Sequence, residues 1–290
     1  NQEYIKFLFY TPTTIMSQTS SFVKKLASND KPTRDSALES LKNFLGSKKD
    51  LSLLDLKKIW KGLYFSMWYC DRSKAQERLA ENLGKLYSET VSVLLFPQFV
   101  LAFFDIISIE WPNIDQWRVD KYYLLIRRIL RHNFKFLKQN NWDEELVENW
   151  VNVLHQSVLS GEKNVSMGLP YHLCDIFIDE LELVMFEDIQ EEIDDLDNDA
   201  SLEDKTKLLG KKIDIVSEVP VLKLLEPFQK LNKLAQLKTL REKCAEELLN
   251  DERLKDWGVI EADDSDDSDN EGSGDDDDDD DEDEDEWKGF

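Results

Sequence analysis

The sequence predicts an all-α protein, built as stacked antiparallel helical hairpins in a HEAT-like solenoid and ending in an acidic low-complexity tail. Three observations predict it. Ten glycines and seven prolines in 290 residues are too few for many tight turns, so long elements with short connections are expected. Apolar residues recur every three or four positions from Ser20 to about Phe186, the period of helices buried along one side. Nothing reads as a strand. A hydrophobic share of 41% over this length is enough to fill a sizeable core.

The elements follow in order. Pro32 sits where a first-turn proline belongs, Ala37, Leu38, Leu41, Phe44 and Leu45 follow at helical spacing, and Gly46 supplies a stop. The next helix carries Leu53, Leu56, Ile59, Trp60, Leu63, Tyr64, Met67 and Trp68, and a third begins near Ser73 with Leu79, Leu83, Leu86 and Tyr87. Val91 to Ile109 is the most apolar window. Pro97, Gln98 and Asp105 interrupt it, and it reads as a buried core helix in preference to a membrane span. Trp111-Pro112-Asn113-Ile114-Asp115 is turn chemistry, with Asp115 as N-cap of a long helix from Gln116 to about Lys138. After a break at Gln139-Asn140-Asn141, Asp143 caps a helix carrying Leu146, Trp150, Val153 and Leu154. Gly168-Leu169-Pro170 opens the next, through Leu173, Ile176, Phe177 and Leu181. Helices of about 15–20 residues with short loops stack as hairpins.

Charge divides the chain further. The formal net charge is −25, but Glu261 to Phe290 holds 19 acids and one lysine, and Asp179 to Asp204 holds 13 acids and no base. The remainder sums to +6, so the body is mildly basic and the acidity sits in blocks. Residues 1–16 read as an extension ahead of a candidate start at Met16, and 17–186 as the helical-repeat domain. Residues 187–204 read as an acidic linker and 205–260 as a C-terminal helical segment, with Leu222, Leu225, Phe228, Leu231, Leu234 and Leu237 in period. Residues 261–290 are a tail too poor in apolar groups to fold alone. The tail has three readings: a shield against non-specific RNA, a binder of basic proteins, or a solubilising appendage. The first fifteen residues lack a signal-peptide pattern. Cys70, Cys174 and Cys244 are odd in number and far apart, which fits a reducing compartment better than a disulfide framework.

Chemical motifs are missing. No GxxxxGK[ST], GxGxxG or GxSxG occurs. His172 and Cys174 are two apart, a spacing commoner by chance than as metal ligands. Asp105 reads as a salt-bridged position more readily than a catalytic one. No catalytic residue, cofactor, metal or small-molecule substrate is expected.

The informative constellation is the Gln116–Lys138 helix. At 100° per residue, Lys121, Arg128, Arg131, Lys135 and Lys138 fall within about a third of its circumference. Tyr122, Leu125, Ile126, Ile129, Phe136 and Leu137 lie opposite. Such a stripe suits phosphates spaced along RNA, or an acidic partner, and an ordinary solvated face explains it equally well. Lys57, Lys58 and Lys61 would extend the patch if the two helices adjoin. Trp60, Trp68, Trp117, Trp142 and Trp150 read mostly as core, with base-stacking platforms as the alternative.

Several ordered blocks resemble the nucleolar ribosomal RNA processing protein 1 family. They are Trp60-Lys61-Gly62-Leu63-Tyr64-Phe65-Ser66-Met67-Trp68 with Asp71-Arg72, then Glu110-Trp111-Pro112-Asn113-Ile114-Asp115 running into Arg118 to Arg128, then Gly168 to Glu180. Phe22-Val23-Lys24-Lys25-Leu26 and Ala37-Leu38 match its N-terminal pattern. The resemblance runs from Ser20 to about Leu183. It implies a helical assembly factor in the nucleolus, and so the nucleus, on early pre-60S particles. Such a factor is needed to process the precursor of 5.8S and large-subunit rRNA, and carries no catalytic residues to transfer. The partners implied are pre-60S assembly factors, ribosomal proteins and nearby pre-rRNA, without a membrane. A generic helical-repeat adaptor unrelated to ribosomes is the alternative.

Overall fold

The structure, a computed structural model, describes residues 24–26, 28, 30–48, 50–196 and 201–261. The expectations for residues 1–16, for Phe22-Val23 and for the tail beyond Glu261 lie outside these residues. The helices are α1 (Lys31–Ser47), α2 (Leu53–Trp68), α3 (Ser73–Lys85), α4 (Phe96–Glu110), α5 (Val119–Gln139) and α6 (Glu144–Gln156). They continue as α7 (Gly168–Met185), α8 (Gln190–Asp194), α9 (Leu202–Ser217), α10 (Val221–Leu234), α11 (Lys238–Cys244) and α12 (Glu252–Asp256). Among the described residues there is no strand.

Local chemistry sets several of the boundaries. The Asp30 carboxylate accepts the Thr33 N–H at 3.0 Å and Ser52 Oγ accepts the Asp55 N–H at 3.2 Å, which starts α1 and α2. Asp143 accepts the Leu146 N–H at 3.0 Å and starts α6. Between α5 and α6 the chain reverses at Asn141 and Trp142, both with φ of 52°. This left-handed pair is unusual for a bulky residue, and the Trp142 ring packs on the core. Asp115 does not start α5 directly. Its Oδ1 accepts the N–H groups of Trp117 and Arg118 at 3.0 and 3.1 Å, fixing a turn, and the helix begins at Val119.

The helices form two layers. In one, α2, α4, α6 and α10 pack side by side in that order; in the other, α3, α5, α7 and α11 do the same. Each layer-to-layer step is one hairpin, which is the stacked arrangement that the periodicity predicts. Aromatic side chains fill the space between layers. Trp60 of α2 meets Phe99 and Phe103 of α4 at 5.2 and 4.8 Å. Phe134 of α5 meets Trp150 of α6 and Phe177 of α7 at 5.6 and 5.1 Å, and Phe177 meets Phe228 of α10 at 4.9 Å. All seven are fully buried, each contributing about 2–3 kcal/mol by leaving water.

Two other features belong to the packing. After α3 the helix widens to a π turn over Leu86–Thr90. Gly84 permits a close approach there, since a Cβ on it would lie 2.3 Å from His132 Cδ2. The most apolar window forms α4, whose buried side chains include Phe96, Phe99, Phe103, Phe104 and Ile107. No helix among the described residues is long and apolar enough to cross a membrane.

Beyond α7 the structure is more broken than the leucine spacing suggests. Residues 205–256 lie in four α-helices and a π turn at Ala245–Leu249, because Pro220, the extended residues around Ala235 and the cap at Asn250–Asp251 interrupt the run. Leu225, Phe228 and Leu231 are buried, while Leu222, Leu234 and Leu237 are exposed. The acidic stretch is helical in short pieces at Glu187–Ile189 and α8, and its last residues begin α9. The described residues up to Ile260 form one packed unit.

Candidate docking surfaces

Each cation of the α5 stripe is engaged by a group of this chain, and Lys121 in the interior. Lys121 is buried: its Nζ donates to the carbonyl oxygens of Trp68 at 2.7 Å and Cys70 at 3.0 Å. It closes the C-terminal end of α2, where carbonyls have no intrahelical partner. Burial lowers its pKa, opposed by the Asp71 carboxylate 3.8 Å away. Arg131 makes a two-pronged contact with Glu180 of α7, at 2.5 and 3.1 Å, and Arg127 joins it at 3.0 Å. Glu180 is fully buried, so these guanidinium groups compensate a charge that water cannot reach.

The rim of α5 is paired more loosely. Arg128 lies 3.7 Å from Glu81 of α3. Lys135 reaches Glu187 at 2.8 Å, and Lys138 reaches Asp188 at 2.7 Å and the Val184 carbonyl at 3.0 Å. The stripe is therefore a seam. A helical projection shows which residues share a face but not how many neighbours that face has, and α5 is flanked by both α3 and α7.

The lysines of α2 do not extend it. Lys57 pairs with Asp105 of α4 at 2.6 Å, Lys61 pairs with Glu110, and Lys58 lies 3.5 Å from Asp55 of its own helix. Asp105, the carboxylate inside the apolar helix, is thus an ion-pair partner across the layer.

Other groups with chemical potential are also held internally. His132 joins Ser88 Oγ at 2.7 Å through Nδ1 and Glu81 at 3.1 Å through Nε2. These are the atoms of an acid–base–hydroxyl relay, but the imidazole is 2% exposed and packed against Gly84. A substrate-sized group has no approach to the base, and the relay ties the π turn to α5. His172 donates from Nε2 to the Tyr123 carbonyl at 3.0 Å, leaving the His172–Cys174 pair unconverged. Cys174 instead lies 3.7 Å, sulfur to sulfur, from Cys244 of α11, and all three cysteines are free and buried. No group of three metal-ligating side chains forms among the described residues.

The exposed aromatic groups among the described residues lie where α2 ends and α5 begins. Trp60 and Trp150 are core, and Trp68 and Trp142 are partly buried against it, whereas Trp117 is 84% exposed. Its turn is fixed by Asp115. Next to it the Arg118 guanidinium lies over the Trp68 ring at 4.5 Å, and Tyr69, 40% exposed, stacks on Phe65 at 6.5 Å. Arg72, just ahead of α3, and Lys74 and Arg78 on it are exposed and have no carboxylate within ion-pair distance among the described residues. A cleft of about 310 Å³ between α1, α2 and α3 is lined by Arg34, Ser66, Cys70 and Arg78. Sequence reasoning passed over these three cations because they are few and interleaved with Asp71 and Glu77. Only three-dimensional pairing separates spent charges from unspent ones.

The Nop52 family, described as nucleolar protein, matches residues 17–290. Ribosomal RNA processing protein 1 homolog B of Homo sapiens is 36% identical over 168 residues, covering 56% of this chain and 22% of the relative. The Caenorhabditis elegans homolog is 33% identical over 164 residues, covering 56% of this chain and 41% of its own length. The Drosophila melanogaster homolog is 34% identical over 172 residues, 58% of this chain and 25% of the relative. The matched stretch thus spans less than half of each of these relatives.

Proposed function

The chain belongs to the Nop52 family of nucleolar proteins, and from that premise we propose that it is a docking scaffold of ribosome assembly which performs no catalysis. It acts in the nucleolus, within the pre-60S particle, during maturation of the precursor that yields 5.8S and large-subunit rRNA. Its partners are assembly factors and ribosomal proteins of that particle, with pre-rRNA in contact or nearby. The relatives' names as ribosomal RNA processing proteins support this reading. The observation that carries it is how the ionisable groups of α5 are used. Arg127, Arg131, His132 and Lys121 all brace neighbouring helices, as expected of a rigid platform and not of a reaction centre.

Within this reading the candidate cations divide by burial. Lys121 and Arg131 hold the fold. Arg128, Lys135 and Lys138 sit at the rim, and their carboxylate partners Glu81, Glu187 and Asp188 are 38%, 51% and 79% exposed. Such pairs are worth little in water and exchange readily for a phosphate or a partner's carboxylate. Lys57, Lys58 and Lys61 act with the structural set. Residues 187–204 link the repeat body to the 205–260 segment, whose α10 and α11 continue the two layers.

The test is affinity purification of the tagged chain from nucleolar extract, followed by sequencing of the bound RNA. Enrichment of precursors carrying 5.8S and large-subunit sequences is expected. Recovery without precursor, together with transport or signalling proteins, would favour a general helical adaptor instead.

A further inference from the structure

We propose that the corner formed by the end of α2 and the starts of α3 and α5 is a single-stranded RNA surface. In it, Trp117 and Tyr69 stack on unpaired bases while Arg72, Lys74 and Arg78 meet the backbone phosphates. The inference rests on the reading above in one respect only, that the protein works among precursor RNA.

The first support is an aromatic group that the fold does not use. An indole 84% exposed leaves most of its apolar surface in water, which disfavours it unless something covers it. It is not on a loose loop, because the Trp117 N–H is held by Asp115 Oδ1 at 3.0 Å and the following residue by the same oxygen at 3.1 Å. The ring is thus carried on an ordered turn, and ordering it on binding costs little. Tyr69 adds a second exposed π face at the end of α2, and the Arg118 guanidinium lies 4.5 Å from the centre of the neighbouring Trp68 ring. Bases of any identity stack on such faces.

The second support is charge left over after internal pairing. Asp71 is 3.8 Å from Lys121, Glu81 serves Arg128 and His132, and Asp35 serves Lys31. Of the carboxylates on α3 and at the start of α5, Glu77 and Asp120 are exposed and have no ion pair among the described residues. Arg72, Lys74 and Arg78 outnumber them, which leaves the net positive sign that phosphates require. By contrast, Lys57, Lys58 and Lys61 of α2 and Lys121, Arg127, Arg128, Arg131, Lys135 and Lys138 of α5 each have a carboxylate within 4 Å.

The aromatic and cationic parts adjoin because Lys121, near the start of α5, bonds the carbonyls of Trp68 and Cys70 in the α2–α3 connection. A protein partner with an apolar pocket would use Trp117 and Tyr69 as well. It would have no need of unneutralised cations beside them, and this favours RNA.

The experiment uses the full chain and a fluorescent, unstructured twelve-nucleotide oligouridylate, with binding read by anisotropy over a range of salt. Trp117→Ala is expected to weaken binding about tenfold, the size of one lost stacking contact. The combined change Arg72→Glu, Lys74→Glu and Arg78→Glu is expected to flatten the dependence of log affinity on log salt by about 2. Leu234→Ala, at a 78% exposed site on α10, is the control and should bind as the parent does, with circular dichroism unchanged in all three. Equal affinity of the parent and both corner variants overturns the proposal. So does failure of the parent to bind RNA while a photo-crosslinker at position 117 captures a protein of the particle, which would make the corner a protein-docking surface. Neither result depends on whether precursor RNA co-purifies with the chain, so failure here is distinct from failure of the scaffold reading.

Discussion

Two amphipathic, lysine-bearing helices of this protein have opposite fates. α5 buries eleven residues along 21, from Lys121 to Leu137. α9 buries one, Val216, along 16. α5 lies between α3 and α7 with α6 and α4 layered against its neighbours, so both flanks as well as its apolar face are covered. α9 is tied on through Val216, through Lys211 to Glu192, and through Lys212, which lies 3.7 Å from Glu182 and 4.9 Å from the Phe186 ring centre, and it leaves Leu202, Leu209 and Ile213 exposed. A repeating apolar pattern says that a helix has one side for packing. It says nothing about the number of neighbours, and the charges on a multiply flanked helix become internal ties.

Substitutions should reproduce that contrast. The largest loss is expected for Phe134→Ala in α5, whose ring touches Trp150 and Phe177 with no exposure. The cavity should cost about 3–5 kcal/mol of unfolding free energy, measured by urea titration. Next comes Glu180→Ala, which leaves Arg127 and Arg131 facing an empty buried site. Because those guanidinium groups are partly exposed, a loss of about 2–3 kcal/mol is expected, below the usual range for a fully buried pair. A cost near zero in the same titration would mean that the seam is decorative.

Acid should separate the two regions as well. His132, His155 and His172 all have pKa values lowered from 6.5, burial being the largest cause for each. Above pH 6.5 the three are neutral in both folded and unfolded chains and contribute no pH dependence. Below it the unfolded chain takes up protons that the folded one resists, so stability is complete above pH 6.5 and is lost as pH falls toward the depressed values. His132 lies in α5 and His172 in α7, while α9 contains no histidine. Thermal melts from pH 7.5 to 5 should show a falling Tm, and replacing His132 by Gln should flatten the fall. The smallest effect belongs to Leu202→Ala at the start of α9, 81% exposed. It should change stability by no more than about 0.5 kcal/mol, and a larger loss would mean that α9 is better packed than its exposure indicates.

The contrast also explains what could be read in advance. The helical class, the order of the hairpins, the start of α2 at Leu53, the Asp143 cap and the buried Phe99 helix follow from spacing and capping chemistry, which act within one turn. The pairing of Arg131 with Glu180 joins residues 49 apart and depends on which helices become neighbours. Periodicity does not carry that information. The close approach of Gly84 to His132 beside the π turn is of the same long-range kind. The exposed corner was illegible for the complementary reason. Arg72, Lys74 and Arg78 look unremarkable among acids until the fold has paired the cations of α2 and α5.

Hydroxyl-radical and lysine-reactive footprinting, on the free chain and on the particle that co-purifies with it, tests the central claim most directly. Lys121, 4% exposed in its side chain, should be unreactive in both. Trp117 and Lys74 should react in the free chain and be shielded in the particle. Equal reactivity of Trp117 and Lys74 in both samples, with shielding confined to Lys135 and Lys138, would contradict the account and return docking to the α5 rim.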